Sequence, residues 1–393
     1  MSQAAFVPCS GESWRDPFGM YAALRDADPV HHVEHGDYWV LSRYADVEAA
    51  AVHPETFSSA QGLTFRYDDM AAAGLDEVRP MVMLDPPGHT AFRRLVARGF
   101  TPRHVAAVEP EVRAFVVDRV ERLRAAGTGD VVAELAGPLP SFVVGRYLGV
   151  PLEDQERFDA WTDGIVAATG QGDPLLAGHT VAELFAYFTE LVERRRREPG
   201  DDVVSELVAA CDAGEGVTPL QVLGFAFTMV TGGNDTTTGL LGGALELLTD
   251  RPDQRALLLD DPALLPDAVE ELLRLTSPVQ GLARTTTCDI ELHGVRIPTG
   301  RKVLLLFASG NRDPREFGPD AEELDARRRP GRILSFGLGG HHCLGAAAAR
   351  LMGRVALEEL LRRCPSFSVD AAAGRFAAGH FVRRYASLPF TAA

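Results

Sequence analysis

Residues 218–249 read as one continuous helix, and that helix sets the scale of everything that must pack around it. Thr218-Pro-Leu-Gln221 opens it with a capping residue, a proline at the first helical position and a glutamine three residues after the cap; Asp250-Arg-Pro252 closes it. At 1.5 Å per residue such a helix is roughly 50 Å long, enough to cross a whole domain. Residues 220–230 are apolar nearly all round, which predicts a position inside the core. In the middle sits Thr231-Gly-Gly-Asn-Asp-Thr-Thr-Thr238, whose glycines and threonines cost helix stability. A conflict of that kind is expected where function overrides folding.

The chain has 393 residues, 46% hydrophobic and 24% charged, so a core large enough to enclose a cofactor is available and disorder is excluded. Its net charge of −16 argues against a nucleic-acid partner, which would need a basic surface. The first ten residues carry no basic stretch, and apolar runs such as 303–308 are far too short to span a bilayer, which predicts a cytoplasmic protein with no membrane partner. Lys302 is the only lysine, so phosphate-loop chemistry is absent. Five cysteines, at 9, 211, 288, 343 and 364, form no Cys-x-x-Cys pair, which excludes a disulfide framework or zinc site.

Helical periodicity dominates and no linker or repeat interrupts it, so a single domain over 1–393 is expected, mainly α with a small β region. Val30-His-His-Val and Tyr38-Trp-Val-Leu41 predict a front hairpin; 290–297, 302–307 and the tail 381–390 predict further strands. Residues 57–84 lack a period and predict a long loop, of the kind that serves as a lid or entrance.

Phe336-Gly-Leu-Gly-Gly-His-His-Cys343-Leu-Gly345 precedes a long Ala/Arg/Leu helix, 346–363. Its glycines allow a tight loop whose backbone N–H groups point at the cysteine sulfur, with a helix N-terminus behind; that favours a thiolate suited to bind metal. The stretch resembles the haem-ligand signature Phe-Gly-x-Gly-x-His-x-Cys-x-Gly of the cytochrome P450 superfamily at all six fixed positions. The resemblance implies the triangular, mainly helical P450 prism, a b-type haem held by Cys343 as the metal ligand, and Phe336, His341 and Gly345 among the cofactor-binding residues.

Three further elements fit the same family. Glu-x-x-Arg occurs five times, from Glu12, Glu121, Glu193, Glu271 and Glu359, and only Glu271-Leu-Leu-Arg274 lies between the long helix and Cys343. Its i, i+3 spacing lets the two charges pair as a structural clamp; the family adds a later arginine, for which Arg327 and Arg328 are both candidates. Leu84-Asp-Pro-Pro-Gly-His89-Thr-Ala-Phe-Arg93 resembles the helix whose His and Arg, one turn apart, hold haem propionates, and Arg284 occupies another propionate position. Gly232-Gly233 resembles the groove that opens the family's central helix for O2, with Asp235 as the catalytic acid and Thr236 as the catalytic alcohol.

The resemblance implies a monooxygenase that activates O2 with electrons from a ferredoxin and its ferredoxin reductase and oxidises a small apolar substrate. By family position the pocket is lined by Phe65, Met229, Gly232, Gln280, Leu282 and Phe381. Oxidative coupling and a non-catalytic haem sensor or carrier are the alternatives; the peroxide-driven branch replaces the acid and alcohol with Arg and Pro, which are absent here. Arg93, Arg94, Arg98 and Arg103, followed by Arg350 and Arg354, predict a basic docking face for an acidic electron donor.

Overall fold

The computed structural model describes residues 5–67, 79–161, 164 and 174–392. The predicted central helix is there, as Pro219–Asp250, 32 residues long. Its capping box is reciprocal: the Gln221 N–H donates to Thr218 Oγ1 at 3.2 Å and the Thr218 N–H donates to Gln221 Oε1 at 2.9 Å. Helices Pro138–Leu148, Pro174–Arg197, Val203–Asp212, Leu265–Thr276 and Ala346–Arg363 all pack against it. Every residue from 237 to 245 is buried, so the apolar side chains of its second half are shared among these neighbours.

The β structure is small and lies to one side. A five-stranded sheet runs in the order Val30–Val33, Tyr38–Leu41, Lys302–Leu305, Leu282–Thr286, Phe57–Ser58. Its pairs are antiparallel except Tyr38–Leu41 with Lys302–Leu305, which is parallel with Tyr38 opposite Lys302. The front hairpin is as predicted, and 290–297 forms a hairpin of its own, Ile290–Leu292 with Val295–Ile297. The strand from Lys302 stops at Leu305 because Phe307 begins a helical turn, Phe307–Gly310.

The expected tail strand is two short strands, Tyr385–Ser387 and Pro389–Thr391, while 381–384 is held by the bridge of Val382 to Val279 and by backbone hydrogen bonds, the Gln280 N–H to the Phe381 carbonyl and the Arg383 N–H to the Pro278 carbonyl, each at 2.8 Å. Pro389–Thr391 is the middle strand of a three-stranded sheet, between Thr128–Asp130 and Ser368–Val369. Of the predicted loop 57–84, residues 68–78 lie outside the described residues; the rest holds only Phe57–Ser58 and a short turn, Met81–Met83. Among the described residues no helix is long and apolar enough to cross a membrane.

Candidate active site

The Cys343 loop is shaped by glycine. Gly337 and Gly339 take φ of 62° and 64°, and a Cβ on Gly339 would stand 3.2 Å from the Ala51 carbonyl, so the loop lies against the end of helix Tyr44–Val52. The Cys343 N–H donates to the Phe336 carbonyl at 2.7 Å, which closes the loop, and helix Ala346–Arg363 starts from Gly345 as its cap. Cys343 is exposed, yet burial is the main cause that pushes its thiol pKa up, opposed by the Gly345 N–H and by the charges of Arg93 and Arg350. The Cys343 side chain thus keeps accessible surface although the protein around it desolvates the thiol. Among the described residues no cluster of three His, Cys, Asp or Glu could hold a metal.

Beside the loop is a concentration of positive charge with little to balance it. His89 and Arg93 share a face of helix Gly88–Val96; the His89 ring lies 4.0 Å from that of His341, and Arg93 donates to the His342 carbonyl. His89 is buried and its Nε2 has no partner among the described residues. Arg284, 6% exposed, donates to the carbonyl of its own neighbour Ala283 at 2.9 Å. Neither Arg93 nor Arg284 has a carboxylate within ion-pair distance among the described residues, and Asp85 is engaged by Ser58 Oγ at 2.5 Å and the Ser59 N–H at 2.9 Å. Burial pulls Arg284 down to about 10; burial, then Arg284, His89 and Arg93, pushes His341 down to about 3. A buried charge left without a partner is costly, so this donor set suits a dianionic ligand.

The expected opening of the central helix is not seen: it is α-helical at every residue from Pro219 to Asp250. Thr228, Thr231, Thr236, Thr237 and Thr238 each donate to the carbonyl one turn back, Thr236 Oγ1 to Gly232 at 2.9 Å, so the polar groups are satisfied inside the helix. Gly232 is exposed although it lies mid-helix, and nothing stands within 4 Å of where its Cβ would be. Asp235 pairs with Arg384, Nε to Oδ1 at 2.7 Å. Burial pushes the Asp235 carboxyl up and Arg384 pulls it back, leaving it at about 6. Arg384 was not legible beforehand: a partner 149 positions along the chain leaves no local pattern.

All five Glu-x-x-Arg copies form ion pairs, but only that of Glu271 and Arg274 is fully buried, with Nε to Oε2 and Nη2 to Oε1 both at 2.7 Å. Arg274 also donates to the carbonyls of Asn311 and Ala321, each at 2.6 Å, and so ties the helix to the chain leading to Cys343. The third residue is Arg328, 3.1 Å from Glu271, while Arg327 faces solvent.

Of the predicted pocket residues, Phe65 stacks on Tyr38 at 4.9 Å and lies 5.7 Å from Phe381; Met229 and Leu282 are half-buried. Gln280 departs from the expectation. It is 1% exposed, its amide donates to the carbonyls of Thr276 and Ser277, and its oxygen accepts from Tyr21, so its functional groups hold the fold. The basic face is also smaller than predicted. Arg350 pairs with Glu270, Arg354 pairs with Glu109 and Glu358, and Arg98 reaches Glu215 at 3.9 Å, which leaves Arg94 and Arg103 as the exposed arginines of this set without an ion pair among the described residues.

Comparison with known proteins places this geometry. A cytochrome P450 family profile matches residues 258–371. Cytochrome P450 130 of Mycobacterium tuberculosis is 59% identical over 98% of this chain and 97% of its own length. The vitamin D(3) 25-hydroxylase of Pseudonocardia autotrophica is 37% identical over 92% of this chain and 89% of its own. The solved structure of cytochrome P450 CYP109Q5 from Chondromyces apiculatus superposes with a TM-score of 0.87 at 36% identity, covering 97% of this chain and 96% of the other. With the thiol loop, the buried Glu-Arg pair and full-length similarity in agreement, the chain belongs to the cytochrome P450 family of haem monooxygenases.

Proposed function

We propose that this enzyme inserts one oxygen atom of O2 into a small apolar organic substrate, with a b-type haem held by Cys343. The observation that carries this reading is the exposed but desolvated Cys343 thiol in its glycine loop, near the half-buried Arg93 and the buried Arg284, neither of which has an ion-pair partner among the described residues. The residues present fit the group. Arg93, Arg284, His89 and His341 would take its two propionates, which explains the unpartnered His89 nitrogen, and Phe336 and Gly345 would flank the thiolate. When bound, haem supplies the redox chemistry that cleaves O–O, with the balance that substrate, O2, two electrons and two protons give oxidised product and water.

The chain's own groups manage the protons. Asp235, poised at about 6, both binds and releases a proton near neutrality, so its carboxyl can carry protons inward. Thr236 holds a hydroxyl on the face opened by Gly232, where turning from the Gly232 carbonyl would let it donate to a ligand. A sensor or carrier would have no use for this pair, and no specific observation favours coupling over insertion.

Phe65, Met229, Gly232, Leu282 and Phe381, the residues that family position assigns to the pocket, would give it an almost wholly apolar lining. The relative named for 25-hydroxylation of vitamin D(3), and the 30% identical P450 from Bacillus megaterium solved with testosterone, support an apolar substrate. Electrons would come from a ferredoxin and its reductase, docking at Arg94 and Arg103, in a cytoplasmic, single-domain enzyme. The test is the ferrous carbon monoxide spectrum. The wild type should show the strongly red-shifted Soret band of thiolate haem and Cys343→His should lose it; an unchanged band in that variant would sink the assignment.

A further inference from the structure

We propose that Arg384 is the positioning residue for Asp235: laid against the glycine face of the central helix, it holds the carboxylate in place and governs when that group takes up a proton. The proposal rests on the reading of Asp235 as the group that admits protons. Its geometry is independent of that reading. The ion pair is 2.7 Å long, with the two side chains 12% and 17% exposed.

The segment that carries Arg384 is fixed from several sides. The Arg383 N–H donates to the Pro278 carbonyl at 2.8 Å and the Ala377 N–H donates to the Arg384 carbonyl at 3.0 Å. Only a glycine at 239 lets the segment approach, since a Cβ there would stand 2.7 Å from the Arg383 carbonyl. The other charged groups on the packed elements are committed elsewhere: Arg383 pairs with Glu246 at 3.6 Å and donates to the Trp14 carbonyl at 2.8 Å. Arg384 is therefore the charge that acts on Asp235 among the described residues, and it opposes burial, as the value near 6 records.

The experiment follows the Asp235 carboxyl in the haem-loaded enzyme by infrared difference spectroscopy, with its band identified as the one lost in Asp235→Asn. Arg384→Gln should raise the midpoint of that band by about one to two pH units, the usual effect of removing an opposite charge. Arg384→Lys should stay closer to the wild type. Arg384→Met, which preserves the packing of the stem, repeats the test where Arg384→Gln does not fold. The alkaline limb of the kcat profile should move up with the midpoint while KM is unchanged, and in an Asp235→Asn background Arg384→Gln should leave the profile where it is. A midpoint that does not move, in variants with unchanged melting temperature, overturns the pairing. A midpoint that moves while the rate profile stays put overturns proton entry through Asp235, and with it the use proposed for Arg384.

Discussion

Glu271, Arg274 and Arg328 make a carboxylate shared by two guanidinium groups away from water, and the loss of one member leaves a buried charge uncompensated. Glu271→Gln should therefore cost about 3–5 kcal/mol in urea unfolding. The same change at Glu193, whose pair with Arg196 is open to solvent, should fall within about 0.5 kcal/mol. The sequence showed both pairs equally well, because i, i+3 spacing depends only on the helix; burial depends on what packs over it, and that decided between the copies. His89 gives a pH prediction. Burial and then Arg93 hold its pKa below the ordinary 6.5, so the unfolded chain binds its proton more readily. Its contribution is present above about pH 6.5 and is lost as pH falls below that value. The haem-free protein should lose stability from pH 7 to pH 5, and His89→Asn should flatten that slope in guanidinium titrations.

The central helix shows how an element can be read correctly and understood only in part. Its cap, length and burial were legible, since these follow from residue pattern. The glycines at 232–233 were expected to open the helix, yet it stays α-helical through them, with Thr236 and Thr237 bonding back to the Gly232 and Gly233 carbonyls. The close approaches made by Gly239, Gly242 and Gly243 to Arg383, Tyr385 and Thr276 were invisible, because those partners come from distant segments. Gly239→Ala should lower stability by about 1–3 kcal/mol, the usual cost of overpacking, in spite of alanine's better helix propensity. Thr236→Ala should fold and bind substrate normally, yet yield much less product per NADH oxidised and release more hydrogen peroxide. Full coupling in that variant would make Thr236 an ordinary back-bonded helix residue.

At the scale of the whole molecule, −16 charge coexists with the exposed Arg94, on helix Gly88–Val96, and the exposed Arg103. Such charges would steer an acidic donor at low salt and lose their reach as the Debye length falls to about 8 Å at physiological ionic strength. Arg94→Glu should slow reduction by ferredoxin at low salt and converge with the wild type at high salt; Arg350→Glu, whose partner is Glu270, would test that helix only after breaking an ion pair. The parallel pairing of Tyr38–Leu41 with Lys302–Leu305 bears on how the chain is made. At 5–20 residues per second a ribosome needs roughly 15–50 s to travel from residue 41 to residue 305. Throughout that interval the front hairpin waits with one edge unpaired, an invitation to wrong partners. Recombinant yield should thus respond more to slower, cooler synthesis and to chaperones that shield nascent strands than to any added stability of the finished enzyme.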